Sequence, residues 1–192
     1  MIDQLKIDFE KILKKSNFSK NNINFKREQL NNFIESGFPN RKLENWKFLD
    51  IDQIIKKDIG ELSFYNDYSV TNKIDTSTLV NGLEHNKIIF INGRIEKIDF
   101  AYEDKSLIEI FDDVEVENKL NNKNSLIYLN SALSNKYYKI LIKKNYILKK
   151  PLIIYHFTND KMKSKNINLR LDFKLEQNSS LKLIDFFNDT SS

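Results

Sequence analysis

Residues 87–98 read KIIFINGRIEKI, two apolar-containing runs joined by Asn92-Gly93. Asn and Gly both tolerate the positive φ that a two-residue type I′ turn needs at its central positions, so this stretch predicts a β-hairpin. Before Lys87 the apolar residues recur at helical spacing, and after it they recur in short extended runs. The hairpin therefore divides the chain into an N-terminal helical domain with its connecting region, 1–86, and a β-rich region, 87–192, and predicts an α+β fold.

Working upstream, Ile2, Leu5, Phe9, Ile12 and Leu13 repeat at three- and four-residue spacing, with Lys14 and Lys15 where cations favour a helix C-terminus. A polar break, SNFSKNNINF, separates this helix from a second one predicted from about Lys26 to Ser36, whose Leu30, Phe33 and Ile34 share a face. Gly37 is placed to end it in a left-handed conformation, and Pro39 follows at the expected distance. Asn40 is placed to cap a new helical turn at Arg41, and Glu44 sits near the N-terminal end of its dipole. Leu49, Ile51, Ile54 and Ile55 fit either a helix or a short extended piece, and 60–86 reads as a connecting region.

Downstream, apolar segments centre on Ile108, Ile140, Ile153, Leu171 and Leu183, the last four 12 to 18 residues apart, a spacing that a meander or a coil of a β-solenoid would give. In INLRLDFKL the residues Ile167, Leu169, Leu171, Phe173 and Leu175 alternate with polar ones, so one face requires a core. The chain then stops directly after the apolar strand SLKLIDFF, and the expectation is that more of the same architecture follows or that a partner covers the end.

Composition narrows the chemistry. The 192 residues are 40% hydrophobic with 14 Phe and 8 Tyr, enough to build a core, and 31 Lys+Arg against 27 Asp+Glu leaves only +4, a weak argument for a nucleic-acid partner. With no cysteine, the chain cannot form disulfides, supply a thiolate or ligate a cluster through sulfur. The start MIDQLKIDFEKILKKSNF lacks the apolar run of a signal peptide and no later segment is long enough to span a bilayer, so a cytoplasmic chain without membrane insertion is expected. Four scattered glycines do not build a phosphate cradle, and neither HExxH nor GxSxG occurs.

The remaining polar candidates read as structural. Asp112-Asp113 belongs to a charged surface; His156, in PLIIYHFT, reads as a hydrogen-bonded strand imidazole; His85, just before a strand, reads as exposed. Lys143, Lys144, Lys149 and Lys150 around Tyr146 read as charged strand ends that block edge pairing, and the acidic stretch from Glu103 to Glu117 argues against a uniformly basic face. Trp46 reads as an aromatic anchor needing one partner for its indole N–H, beside an Arg41–Glu44 pair at i,i+3. The residues themselves support no catalytic site, cofactor site or metal site.

The segment GFPNRKLENWKF, 37–48, resembles the L-P-T-R-K-x-E-x-W-K-Y segment of the SufB/SufD family of iron-sulfur cluster assembly proteins, in its SufD branch. Pro39, Arg41, Lys42, Glu44, Trp46 and Lys47 match it, with Asn40 in place of Thr and Phe48 in place of Tyr. FINGRI, with Asn92 and Gly93, is similar to the family's hairpin; SLIYLNSAL, with Leu129, Asn130 and Ala132, is similar to its F-x-x-L-N-x-A segment; KKPLIIYH, with Pro151, is similar to its E-x-P-I-x-L strand. The loop after Ala132, SNKYY, lacks the glycine often found there in the family. The resemblance implies an N-terminal helical domain followed by the first strands and coils of a right-handed parallel β-helix, the N-terminal portion of a longer family member. It also implies a non-catalytic scaffold that pairs with a SufB-like subunit, or with a second copy, through the β-helices and binds a SufC-like ATPase. On that reading the iron-sulfur cluster is the product of the assembled complex and is not bound by this chain alone, and the matching residues are structural. The alternative from another class is a β-solenoid binding module for carbohydrate or, weakly, for nucleic acid, marked respectively by an exposed aromatic row or a steep salt dependence.

Overall fold

The computed structural model describes residues 1–59, 63–64, 79–112, 124–158, 162 and 164–189. They fall into two compact units, one within Met1–Asn66, Glu115–Tyr137 and Ser164–Arg170, the other within Asp67–Val114, Tyr138–Lys163 and Leu171–Ser192. Most of the 60–86 connecting region, Asp113 of the Asp112-Asp113 pair and the end of the acidic stretch lie outside the described residues.

Helices build the first unit. Helix α1 (Ile2–Lys15) buries Leu5, Phe9 and Ile12 on the stripe its spacing predicts. Helix α2 (Lys20–Ser36) begins at Lys20 rather than Lys26, because the Ser19 hydroxyl accepts the Asn22 N–H at 3.2 Å and caps the turn that the polar residues alone do not announce. It ends as expected: Gly37 has φ 68°, and its N–H donates to the Phe33 carbonyl at 2.7 Å. A 3-10 turn (Glu44–Trp46) and helix α3 (Ile51–Ile54) follow, and Asp50 caps α3 by accepting the Gln53 N–H at 3.0 Å. Helix α4 (Ser125–Leu133) is the family-like segment SLIYLNSAL; its near-continuous apolar character hides any helical period, and the Asn124 side chain caps it at the Leu126 N–H, 2.9 Å away. Leu5, Phe9, Leu30, Phe33, Phe64, Leu129, Ala132 and Leu133 form one buried cluster, each large side chain contributing roughly 1.5–3 kcal/mol by leaving water.

Two buried charges lock this unit. The Asp8 carboxylate on α1 accepts the Phe64 N–H at 2.9 Å, Gln4 Nε2 at 2.9 Å and Lys11 Nζ at 3.1 Å, which seats Phe64 in the core. Lys26 on α2 is 1% exposed and donates to the carbonyls of Ser131 (3.2 Å), Ala132 (3.5 Å) and Ser134 at the C-terminal end of α4. Those carbonyls are the ones a helix end leaves without intrahelical donors. Burial, and secondarily the Arg170 guanidinium, lowers the Lys26 pKa from 10.5 to about 7.

Strands β1 (Asn86–Ile91) and β2 (Arg94–Asp99) form the antiparallel hairpin foreseen at Asn92-Gly93, with φ 49° and 82° at the two turn residues. The segments centred on Ile108, Ile140, Ile153, Leu171 and Leu183 are all strands: β3 (Ile108–Asp112), β4 (Lys136–Ile142), β5 (Leu152–Thr158), β6 (Leu169–Leu175) and β7 (Leu183–Asp189). They make a four-stranded sheet ordered β2-β1-β5-β7 and a three-stranded sheet ordered β3-β4-β6. Strands β1, β5 and β7 run parallel, whereas β1–β2 and β3–β4 are antiparallel. Ile89, Ile91, Ile153, Tyr155 and Phe157 pack on one face of the first sheet.

The expectation of a right-handed parallel β-helix, or any β-solenoid, is overturned. A solenoid advances its strands in one direction around stacked coils, but here the tight turn at Asn92-Gly93 sends β2 straight back along β1, and β3 and β4 also oppose one another. The described strands form two small, open, mixed sheets in an α+β fold. A strand spacing of 12 to 18 residues suits either arrangement, since it sets connection length and not strand direction.

Candidate functional site

A cavity of about 570 Å3 opens in the helical unit beneath the segment 37–42. Its floor is apolar, made by Leu5 of α1, Phe33 of α2 and Phe64, all almost fully buried. Phe38, just past the Gly37 stop, packs edge-on against Phe33 with ring centroids 5.0 Å apart. The left-handed backbone at Gly37 turns the chain out of α2 and brings Asn40, Arg41 and Lys42 to the rim. There the Asn40 side chain accepts the Lys42 N–H at 3.0 Å, which forms a local turn in place of the expected helix cap at Arg41.

The rim charges differ in how they are engaged. Asp50 caps α3, and Asp52 pairs with Lys56 at 2.6 Å. Arg41 and Lys42 are exposed, and neither side chain has an ion-pair partner among the described residues. The expected Arg41–Glu44 pair is absent, since Glu44 pairs with Lys47 at 3.4 Å. Of the six matching residues at 39–47, Arg41 and Lys42 reach the cavity while Pro39, which is buried, and Glu44, Trp46 and Lys47 lie outside its lining.

Neither aromatic residue of the motif is a core anchor. Trp46 is partly buried and Phe48 is 86% exposed, because 44–48 forms a short surface turn instead of a helix face directed inward. Trp46→Ala is expected to cost about 1–2 kcal/mol in urea unfolding, against roughly 3–5 kcal/mol for a fully buried ring. A loss in the upper range would place the indole in the core.

Polar clusters in the second unit are structural. Glu103 accepts Asn86 Nδ2 (2.7 Å) and the Lys150 N–H (3.0 Å) on one oxygen, and the Tyr146 hydroxyl (2.7 Å) and the Lys149 N–H (3.1 Å) on the other. The lysines at 143 and 150 pair with Glu109 (2.6 Å) and Glu84 (2.5 Å), consistent with charged strand ends. His85 is buried, contrary to its expected exposure: Nδ1–H donates to the Leu83 carbonyl at 2.7 Å, and Nε2 accepts from the Tyr155 hydroxyl at 2.9 Å. Tyr155 draws it inward, since that hydroxyl on a core strand needs a partner and also accepts the Val80 N–H at 3.2 Å. His156 is hydrogen-bonded as expected, to Asp185 at 2.8 Å, and burial, opposed by that carboxylate, lowers its pKa.

Phe90, His156 and Phe187 stack in a row across β1, β5 and β7, with centroid spacings of 5.2 and 4.5 Å. Phe90 is wholly buried and only Phe187 is well exposed, at 72%, so the row is a core stack reaching an edge and not a flat platform for a sugar. Among the described residues no three His, Asp or Glu side chains converge as metal ligands, and no helix is long and apolar enough to cross a membrane.

In the two motif segments that form the candidate site and hairpin, Asn92 and Gly93 turn β1 into β2; near the other matching residues, Asn130 Nδ2 donates to the Leu169 carbonyl at 3.1 Å, Ala132 is fully buried and the Pro151 carbonyl accepts the Asn86 N–H at 2.8 Å. Asp50 was not singled out in the sequence, although its place before an apolar run is a signal for a cap, and the contribution of Phe64 to the cavity had no signal in its polar surroundings. Compared with known proteins, the chain matches no family model and no curated protein.

Proposed function

We propose that this chain is a non-catalytic, protein-binding subunit, and that the assembly it serves is an iron-sulfur cluster assembly complex of the SufB/SufD kind. The observation that carries the binding role is the segment 37–42, whose Arg41 and Lys42 have no ion-pair partner among the described residues and stand over a cavity with an apolar floor, while the Glu103 carboxylate and the His85 ring are engaged by internal hydrogen bonds. The SUF assignment rests on the sequence resemblance at Pro39, Arg41, Lys42, Glu44, Trp46 and Lys47 together with the hairpin at Asn92-Gly93. On this reading the partners are a SufB-like subunit and a SufC-like ATPase in the cytoplasm, and the cluster is the product of the assembled complex, with no cofactor held by this chain alone. Among the described residues β7 is the end strand of its sheet, and on this reading its outer edge pairs with a partner strand or a second copy.

Affinity-tagged full-length protein expressed in its native source is expected to co-purify with SufB-like and SufC-like proteins identified by mass spectrometry. Recovery of neither would overturn the SUF assignment.

A further inference from the structure

We infer that the cavity beneath 37–42, with the neighbouring 43–49 surface, is a docking site for a partner polypeptide segment in which carboxylates flank a large apolar side chain. This deepens the proposed protein-binding role and rests on that part of it, not on the identity of the complex.

Three observations converge. The cavity, at about 570 Å3, lies within the range that accommodates bound groups, and Leu5, Phe33 and Phe64 make its floor apolar. A leucine or aromatic side chain entering it would leave water without stranding a polar group. At the rim the charge balance is uneven in availability: the carboxylates of Asp50 and Asp52 are directed to α3 and Lys56, whereas Arg41 and Lys42 have no ion-pair partner among the described residues. The incoming group that complements them is anionic, and the Arg41 guanidinium can engage a carboxylate through two parallel N–H donors.

The third observation selects a polypeptide over a small amphiphile. Leu43, Phe48 and Leu49 are all exposed in the same segment that carries the two cations. A single acyl chain or small carboxylate would fill the cavity and leave those side chains in water. A polypeptide segment running across 37–49 would cover them, with its apolar anchor in the cavity and its acids at the rim.

A random 12-residue peptide library displayed on phage, selected against the full chain, tests this directly. Selected peptides are expected to carry Asp or Glu beside Leu or Phe and to lose about tenfold or more in affinity for R41E/K42E, with steeper loss as salt rises. Phe48→Ala is expected to weaken the same peptides with no change in salt dependence. Both variants alter exposed side chains, and a thermal melt matching the parent's identifies them as folded. The inference is overturned if selection enriches no acidic-apolar sequence, if enriched peptides bind the folded R41E/K42E protein unchanged, or if dodecanoate binds the cavity and displaces them at lower concentration than free peptide. Failure here with successful co-purification would move the SUF contacts elsewhere on the chain; success here without SUF partners would retain the docking site and remove the assembly assignment.

Discussion

Replacing Lys26 by methionine will flatten the pH dependence of stability between pH 7 and 10.5, and replacing it by alanine will destabilise the protein by roughly 3–5 kcal/mol. The ammonium sits in the interior against three carbonyls at the end of α4, and it also lies 4.6 Å from the Phe18 ring centroid. Its folded pKa, about 7, is below its unfolded value of 10.5. Above pH 7 the unfolded chain therefore binds the extra proton, and stability rises with pH until the unfolded lysine also deprotonates. The linked stabilisation is fully present above pH 10.5 and is lost as pH falls through about 7. A shift of this size corresponds to at most roughly 5 kcal/mol, an upper bound because the α4 carbonyls and the negative end of its dipole favour the charged form. Methionine fills nearly the same volume but cannot titrate, so the difference between the two proteins isolates Lys26 from other groups that ionise in this range. Urea titrations at half-unit pH intervals would measure it, and an identical slope in K26M would reject the assignment.

Glu103→Ala is expected to destabilise the protein by roughly 3–5 kcal/mol at pH 7, because four donors aimed at one carboxylate lose their acceptor together. Two are backbone N–H groups of Lys149 and Lys150, one is the Tyr146 hydroxyl, which itself accepts the Asp104 N–H at 2.7 Å, and one is the Asn86 amide. Glu103→Gln keeps the shape but turns an acceptor into a donor facing two donors, so it should recover less than half of the loss. Burial on its own would raise the Glu103 pKa; the bonds from Asn86, Lys149, Tyr146 and Lys150 outweigh it and hold the pKa below the ordinary 4.5. The contribution is therefore present above pH 4.5 and declines as acid titrates the folded carboxylate. Chemical denaturation at pH 7 and pH 3 should show the deficit of E103A shrinking in acid. A constant deficit would mean that Glu103 acts through packing and not through charge.

These two groups show where reading the sequence stops. Lys26 lies on a helix whose apolar face is marked by Leu30 and Phe33, yet no local pattern says that a lysine also points inward, because its partners are carbonyls more than a hundred residues away. Glu103 belongs to a stretch that reads as generic surface acid, and only the convergence of β1, the turn after β2 and the loop before β5 makes it the hub of a buried network. His85 was missed for the same reason: its burial depends on Tyr155, a partner on another strand.

The candidate site divides likewise. Arg41 and Lys42 could be singled out from their segment, and Gly37 from its place after an apolar run. The cavity beneath them requires Leu5 from α1 and Phe64, which Asp8 pulls into the core through its hydrogen bond to the Phe64 N–H.

By itself the amino-acid order determined what depends on neighbours a few residues apart: the stripe of α1, the stop at Gly37, the hairpin at Asn92-Gly93 and the places of five later strands. Short-range sterics and one-sided burial specify these, and both are written in local spacing. Strand direction, the helical state of SLIYLNSAL, the exposure of Phe48 and the inward turn of Lys26, Glu103 and His85 were decided by the tertiary structure. Each depends on which distant group supplies a hydrogen bond or covers a face, and a parallel solenoid and a mixed open sheet share the same local pattern until those long-range pairings form.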